Sequence, residues 1–544
     1  MYLCTQTKKK NCNHCAFYKP NIKSRLRSLF KAQTKDCYHC PYIDGCIEGM
    51  PKLKRKAALH VKDIKSQIDK HQRIVIKDNN FITGEIRVLR RSLGDIKDQF
   101  RVTFENSELE RMKRLLPLHE MAVNFGLVSN HPVRKRGRKS FFSPEGKVAL
   151  MFLKMYTQLS APKLLEQLNG NVHYQIFCDV YVNPLCPLTN YKLIDDIISE
   201  LSDKLKIQQQ QNILADAWKP YMKELDTFYT DATCYESEMR YPTDQKLLWE
   251  CVGKSYRMMC DACQRLGIHR PRTKYLDVEK ANMEYVKQRK HKKSQQRRII
   301  RRLLNLLGKI LKEIRRMMRE HNEQEVLTVR EQSTLGIITK VYRQQKNHFD
   351  SNDPRESIPD RIVSISKPYV RPIVRGKEVK NVEFGAKCNN IQVDGISFIE
   401  KLSFNAFNEG TRLGHCIKMH KRLFGVDAKK IGGDTGYAGT ANRDLCKELG
   451  IQTSFVKRGR PSAEKKREED FIRQELARVR ATQMEGSFGT QKEHYAMRRI
   501  KARKKKTEIL YIFFGIHTAN AVHMAQRLAE LQETKTHKRH LKRN

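Results

Sequence analysis

Between Lys287 and Glu320 apolar residues recur every three or four positions, at Ile300, Leu303, Leu307, Ile310, Ile314 and Met317, with Arg and Lys crowding the rest. That period predicts a long helix with one apolar face seeking a partner helix. It is the centre of a helical insertion, 255–350, that follows Tyr241-Pro242-Thr243-Asp244. A second helical region covers 140–205. Ser143-Pro144-Glu145 is a helix start, followed by Val148, Phe152, Met155 and Leu159 at helical spacing, and Ser160 can cap a second helix carrying Leu164, Leu165 and Leu168. From Arg361 the pattern turns to strands: Arg361–Ile365, Val382–Lys387, then Ile391–Phe404 broken by the turn Asp394-Gly395. A helical stretch near 410–423 and a strand ending at Asp434 follow, and an earlier strand run ends at Asp231. The chain is therefore predicted as α/β, a mixed-sheet core with a large helical insertion and an N-terminal helical domain.

Charge adds a partner. The 544 residues hold 106 Lys plus Arg against 60 Asp plus Glu, a formal net charge of +46, with an isoelectric point near 9.8. An excess of this size speaks of polyanions, because each phosphate neutralised releases counterions. Nucleic acid is the default partner; ribosomal and chromatin proteins share the balance but are usually shorter. In this light the basic arm Arg134-Lys135-Arg136-Gly137-Arg138-Lys139 ahead of the two short helices resembles the arm of a helix-turn-helix, with Arg136 and Arg138 reaching a minor groove. An ordinary helical subdomain with a solvated linker is the alternative. The basic insertion helix likewise either packs on its own domain alone or adds nucleic-acid backbone contacts or dimerisation. No stretch approaches a membrane span and the N-terminus lacks a signal peptide's apolar core, which predicts a cytoplasmic, nucleoid-associated protein.

Six of the fifteen cysteines fall in residues 1–60. Cys12-x2-Cys15 and Cys37-x2-Cys40 have the spacing of a four-thiolate structural Zn²⁺ site, with free cysteines in a basic extension as the alternative. Cys260-x2-Cys263 has no partner pair and reads as a helix-face coincidence. Lys457-Arg458-Gly459-Arg460-Pro461 has the form of a minor-groove hook, although a loop after a strand is equally content with Gly and Pro.

Three carboxylates carry the chemistry: Asp231 in Thr230-Asp231-Ala232-Thr233, Asp434 in Gly432-Gly433-Asp434-Thr435, and Glu485 in Met484-Glu485-Gly486-Ser487. Two end strand runs and the third sits in a charged helical segment. Gathered at one point, three acids repel one another unless hard, oxygen-liganded cations such as Mg²⁺ neutralise them. Each also has a plain alternative, as a helix cap or a solvated helix residue. Strands, then alternating helix and strand, then a helix bearing an acid, is the order expected of a ribonuclease H-like core.

Further residues carry a resemblance. Asp231-Ala232-Thr233, Tyr241-Pro242-Thr243-Asp244, Arg361-Ile362-Val363-Ser364, Val370 to Lys377, Val382 to Lys387, Phe407-Asn408-Glu409-Gly410, and Glu485, Phe488, Gly489 and Lys492 are together similar to the DDE transposases of bacterial insertion sequences, InsH-like group. The resemblance covers roughly residues 115–530. It implies that Asp231, Asp434 and Glu485 hold two catalytic Mg²⁺ or Mn²⁺ ions, that Lys492 touches end DNA, and that Arg371 and Arg375 are further DNA contacts. Lys492 follows Glu485 by two helical turns and shares its face. The arginine often found four residues before the glutamate is Ala481 here, with Arg480 one position early.

The domain scheme that follows is a Cys-rich basic extension (1–60), a basic helical segment (61–130), a helix-turn-helix-like domain (131–215), a DDE core with the helical insertion (216–530) and a basic tail (531–544). Within the second segment, Ser92–Phe100 is similar to Ser487–Tyr495, with Arg90 where Glu485 would stand. This is either a degenerate relic of a transposase C-terminus or chance likeness between basic helices. The expected activity is cleavage at an element's 3′ ends and transfer of the freed hydroxyls into target DNA, by a dimer or larger assembly bridging two ends. A nuclease that cuts without joining, and an inactive DNA-binding descendant, are the alternatives.

Overall fold

A computed structural model of the chain describes residues 93–128, 140–184, 186–351, 357–374, 382–456 and 463–541. The cysteine pairs at Cys12, Cys15, Cys37 and Cys40, the arm residues Arg136 and Arg138, Arg375 and the segment Lys457–Pro461 lie outside the described residues. The chain divides into two compact units.

The described part of the first unit is residues 93–110, 140–147, 160–184 and 186–193. Its helix Leu93–Glu105 packs on the short helix Val172–Phe177, where Phe104 meets the His173 ring edge-on and Thr103 Oγ1 lies 3.2 Å from His173 Nε2. Lys97 pairs with Asp179 at 2.9 Å. Asn171 caps the short helix by accepting from Tyr174 N–H, the role its amide oxygen suits. The Ser143 hydroxyl accepts from Gly146 N–H at 2.9 Å, which makes Pro144 the first helical residue. Ser160 precedes the helix Ala161–Gly170 without a side-chain cap bond.

The second unit holds a seven-stranded mixed sheet: β1 (Thr227–Ser237), β2 (Arg371–Val374), β3 (Val382–Val393), β4 (Ile396–Ser403), β5 (Lys430–Gly433), β6 (Gln452–Thr453) and β7 (Arg499–Ile500). The path β4-β3-β1-β5-β6 is antiparallel for its first two pairings and parallel for its last two; β2 also flanks β3, and β7 pairs β1. β1 sits centrally and is buried on both faces, which its β-branched and aromatic residues suit. The β3–β4 hairpin turns on Asp394-Gly395, both at positive φ, the conformation for which Asp-Gly is selected.

Two sequence expectations are corrected. Arg361–Ile365 forms no strand: Ile362 and Val363 are buried, and Ile362 N–H donates to the Gln344 side chain rather than to a ladder. The β-branched run Ile362, Val363 and Ile365 reports burial there, not pairing. Asp231 does not end a strand but is the fifth residue of an eleven-residue one.

Between β1 and β2 the helices Asp244–Leu266, Tyr275–Lys287, Lys293–Glu320, Glu323–Val326 and Val329–Asp350 pack around one apolar cluster. Leu303, Leu307, Ile310, Ile314 and Met317 are buried in it. At its root, Asp244 accepts from Arg361 at 2.6 Å and from Gln345 at 2.9 Å, joining the first helix of the insertion to its last and to the returning chain. Cys260 and Cys263 lie on the first of these helices as free thiols. Among the described residues no helix is long and apolar enough to cross a membrane.

Candidate active site

The register of β1 and β5 determines where two acids stand. Thr227 to Thr230 pair in parallel with Lys430 to Gly433, so the next residue on each strand is Asp231 and Asp434 respectively. Neighbouring strands lie about 4.8 Å apart, which brings the two carboxylates side by side at the point where β5 ends. Gly432 lets the Tyr229 ring and the Leu476 carbonyl close over β5 just before Asp434. A β-carbon there would meet the Tyr229 ring at 2.3 Å and the Leu476 carbonyl at 3.2 Å.

Each acid is aimed by backbone. Asp231 accepts from Ala232 N–H at 2.7 Å, and Asp434 from Thr435 N–H at 2.6 Å as it caps the turn Thr435–Tyr437. Asp434 thus fills the cap role that was its plain alternative, and it still lines the cavity. Tyr437 is fully buried and donates to Asn389, while burial pushes its phenol well above the ordinary range. Asn442 donates to the carbonyls of Tyr437 and Gly410, locking the Asp434 turn to the Asn408–Gly410 turn. The two turns touch: a β-carbon on Gly410 would lie 2.3 Å from the Gly436 carbonyl.

The third acid arrives on a different element. The helix Ala463–Val479 passes through a π-turn, Arg480–Met484, into the helix Glu485–His494. Leu476, Met484 and Phe488 bury themselves against Tyr229 of β1, and Gln491 accepts from Tyr235 at 2.6 Å, so the glutamate helix is anchored to the strand that bears Asp231. Glu485 and Lys492 then look into a cavity of about 690 Å³ that Asp231, Asp434 and Arg480 also line.

Arg480 is the residue that sequence reasoning undervalued. Its Nη1 donates to Asp231 Oδ2 at 2.8 Å, and its Nη2 stands 3.8 Å from Glu485 Oε1. The π-turn explains the spacing. One extra residue in a helical turn moves the neighbour on the same face from four positions to five, so Arg480 takes the place that Ala481 would hold in a regular α-helix. Ala481 is exposed instead. The cue was present as an arginine one position early; the compensating turn was not readable from composition.

Lys387 and Glu409 also line the cavity and pair with each other. Lys387 donates further to the Phe407 carbonyl at 2.8 Å and lies over the Phe407 ring. Both residues stand in motifs that carry the family resemblance, Val382 to Lys387 and Phe407-Asn408-Glu409-Gly410. Arg371 does not join the site: its guanidinium turns onto the Pro368 and Val370 carbonyls.

The donor set suits a hard divalent cation, since every acid here offers only oxygen. Asp231 and Glu485 already share one cation, the Arg480 guanidinium, and Asp434 has no ion pair among the described residues. Among those residues no three metal-ligating side chains converge tightly enough to grip one ion. The arrangement fits a metal by chemistry, with Arg480 as the cation that bridges two of the three acids without one.

Residues 431–517 match the model of the transposase DDE domain, and residues 98–196 that of a transposase domain, DUF772. The two matches together support an insertion-sequence DDE transposase. No curated protein and no solved structure matches it. The DDE match spans Asp434, Glu485 and Lys492, while Asp231 lies ahead of it, across the helical insertion.

Proposed function

We propose that this transposase cleaves DNA at the ends of an insertion sequence and transfers the freed strands to target DNA, with Asp231, Asp434 and Glu485 as its metal-holding acids. The observation that carries the reading is the shared cavity: two acids abreast at the end of β5 and a third linked to Asp231 through Arg480. The strand order β4-β3-β1-β5-β6, with antiparallel then parallel pairing, supports a ribonuclease H-like core. The motifs favour the InsH-like group.

Bound divalent metal, Mg²⁺ or Mn²⁺ as two ions, would activate a water or 3′-hydroxyl and stabilise the leaving oxygen. The chain's own residues do the rest. Backbone N–H groups hold Asp231 and Asp434 in fixed rotamers, so the acids need little reorganisation. Phe488 packs one wall of the cavity with apolar surface and limits water there. Lys492 supplies a point charge suited to a phosphate, and the Lys387–Glu409 pair adds a fixed polar wall of no net charge beside the acids. Because two ends must be joined to one target, the working form is a dimer or larger assembly on DNA. The helices within 98–196 are assigned to end binding.

The test is a joining assay with purified protein, a linear duplex carrying the element's ends, a supercoiled target and Mg²⁺. Covalently joined products are expected. Nicked ends without joining would make the protein a nuclease, and inertness in both Mg²⁺ and Mn²⁺ would leave only DNA binding.

A second measurement concerns Lys492. Lys492→Ala should make the plot of log affinity for cognate ends against log salt shallower by about 0.9, one phosphate's share, with metal binding unchanged. Unaltered slope and affinity together with lost cleavage would move Lys492 from positioning DNA to the chemical step.

A further inference from the structure

The insertion's helix Lys293–Glu320 buries one face in the apolar cluster and exposes the other. On the exposed face stand Arg298, Arg301, Arg302, Lys309, Lys312, Arg316 and Arg319. Their separations keep them on one stripe, and at 1.5 Å per residue the stripe runs about 32 Å. Three members have local partners: Arg301 lies over the Phe349 ring, Arg302 donates to the Asp277 carbonyl, and Arg316 pairs with Glu313 and Glu320. The other four, Arg298, Lys309, Lys312 and Arg319, have no carboxylate partner among the described residues.

Like charges three and four positions apart destabilise a helix by a few tenths of a kcal/mol per pair. The apolar face fully accounts for how the helix packs, yet nothing in that packing calls for so many uncompensated cations on the opposite side. A polyanion laid along the stripe would relieve the repulsion. The length is close to one turn of B-form duplex, about 34 Å. The stripe is also mounted rigidly, because the Asp244, Arg361 and Gln345 contacts fasten the insertion at its root.

We propose that this face binds the phosphates of the target duplex during strand transfer, an inference that rests on the transposase reading above. Target DNA is favoured over transposon ends by the chemistry of the stripe. Its side chains are Arg and Lys with a single amide, Asn305, and two acids, Glu313 and Glu320, tied to Arg316; phosphate contacts from Arg and Lys position a duplex without reading its sequence. Ends must be recognised by sequence; a target need only be held.

The experiment neutralises the four unpaired cations together, Arg298→Gln, Lys309→Gln, Lys312→Gln and Arg319→Gln. Binding is measured in EDTA to a random-sequence duplex and, separately, to a duplex carrying the element's end. All four positions are exposed and glutamine is a good helix former, so circular dichroism should match wild type. On random duplex the log-affinity against log-salt slope should become shallower by up to about 3.6, with affinity at 0.1 M salt down at least about tenfold. Affinity for the end should stay within about twofold. The single variant Lys312→Gln should show about a quarter of the slope change. An unchanged slope on random duplex, or an equal loss on the end duplex, overturns the target assignment. Wild-type protein that binds neither duplex would instead bring down the transposase reading, whereas wild type that joins ends while the quadruple variant keeps full random-duplex binding removes only this face.

Discussion

Replacing Asp231, Asp434 or Glu485 by alanine, one at a time, is expected to lower metal-dependent strand cleavage at least about a thousandfold. The size follows from the role. A carboxylate that holds a catalytic cation contributes several kcal/mol to the stabilisation of developing charge, and about 4 kcal/mol corresponds to three powers of ten in rate. End binding should change little, because none of the three supplies positive charge. The positions differ in a second respect. Glu485 is well exposed, with 61% of its side chain accessible, so Glu485→Ala should leave the fold untouched, whereas Asp231 is mostly buried and bonded to Arg480. For that reason Asp231→Asn, which keeps the shape and a hydrogen-bond acceptor, is the better chemical test at that position. Cleavage at the wild-type rate in any of these variants would remove that acid from the site.

Arg480→Ala is expected to destabilise the metal-free protein by about 2 kcal/mol and to have a much smaller effect once Mg²⁺ is present. Taking away one partner of a largely buried ion pair leaves the other charge desolvated and uncompensated, and full burial would cost about 3–5 kcal/mol. The side chains of Arg480 and Asp231 retain 17% and 19% exposure, which argues for the lower figure. A divalent cation supplies the missing charge between Asp231 and Glu485. Thermal unfolding in EDTA and in Mg²⁺ separates this from an ordinary packing defect, which would be equal in both. The π-turn adds a sharper discrimination. Moving the arginine to the usual family spacing, with Arg480→Ala and Ala481→Arg in one protein, should be as unstable in EDTA as Arg480→Ala alone, because position 481 faces solvent. Recovery of stability in the double variant would mean that the turn does not set the register.

Much of the site was legible because strand ends and helix faces write themselves into local sequence. Glycine pairs before Asp434, the β-branched run around Asp231 and the Glu485-to-Lys492 interval each report a local geometry. The insertion helix was legible for the same reason, since a 3.6-residue apolar period needs no knowledge of distant chain. What failed was also local in origin. Arg361–Ile365 carries a strand-like β-branched run, but its apolar residues are buried beside the insertion and the Ile362 N–H donates to the Gln344 side chain instead of to a strand.

By itself the sequence determined that this is a basic α/β protein with a long amphipathic insertion, that its charge suits a polyanionic partner, and which three acids to suspect. Only the tertiary structure decided that Asp231 and Asp434 stand abreast, because that depends on a parallel register between strands separated by the whole insertion. It likewise decided the place of Arg480, where one residue added to a helical turn exchanges which neighbour faces the site. It also brought Lys387 and Glu409 to the cavity and turned Arg371 away. Each outcome depends on long-range pairing, a free-energy balance among distant segments that residue types and short spacings do not encode.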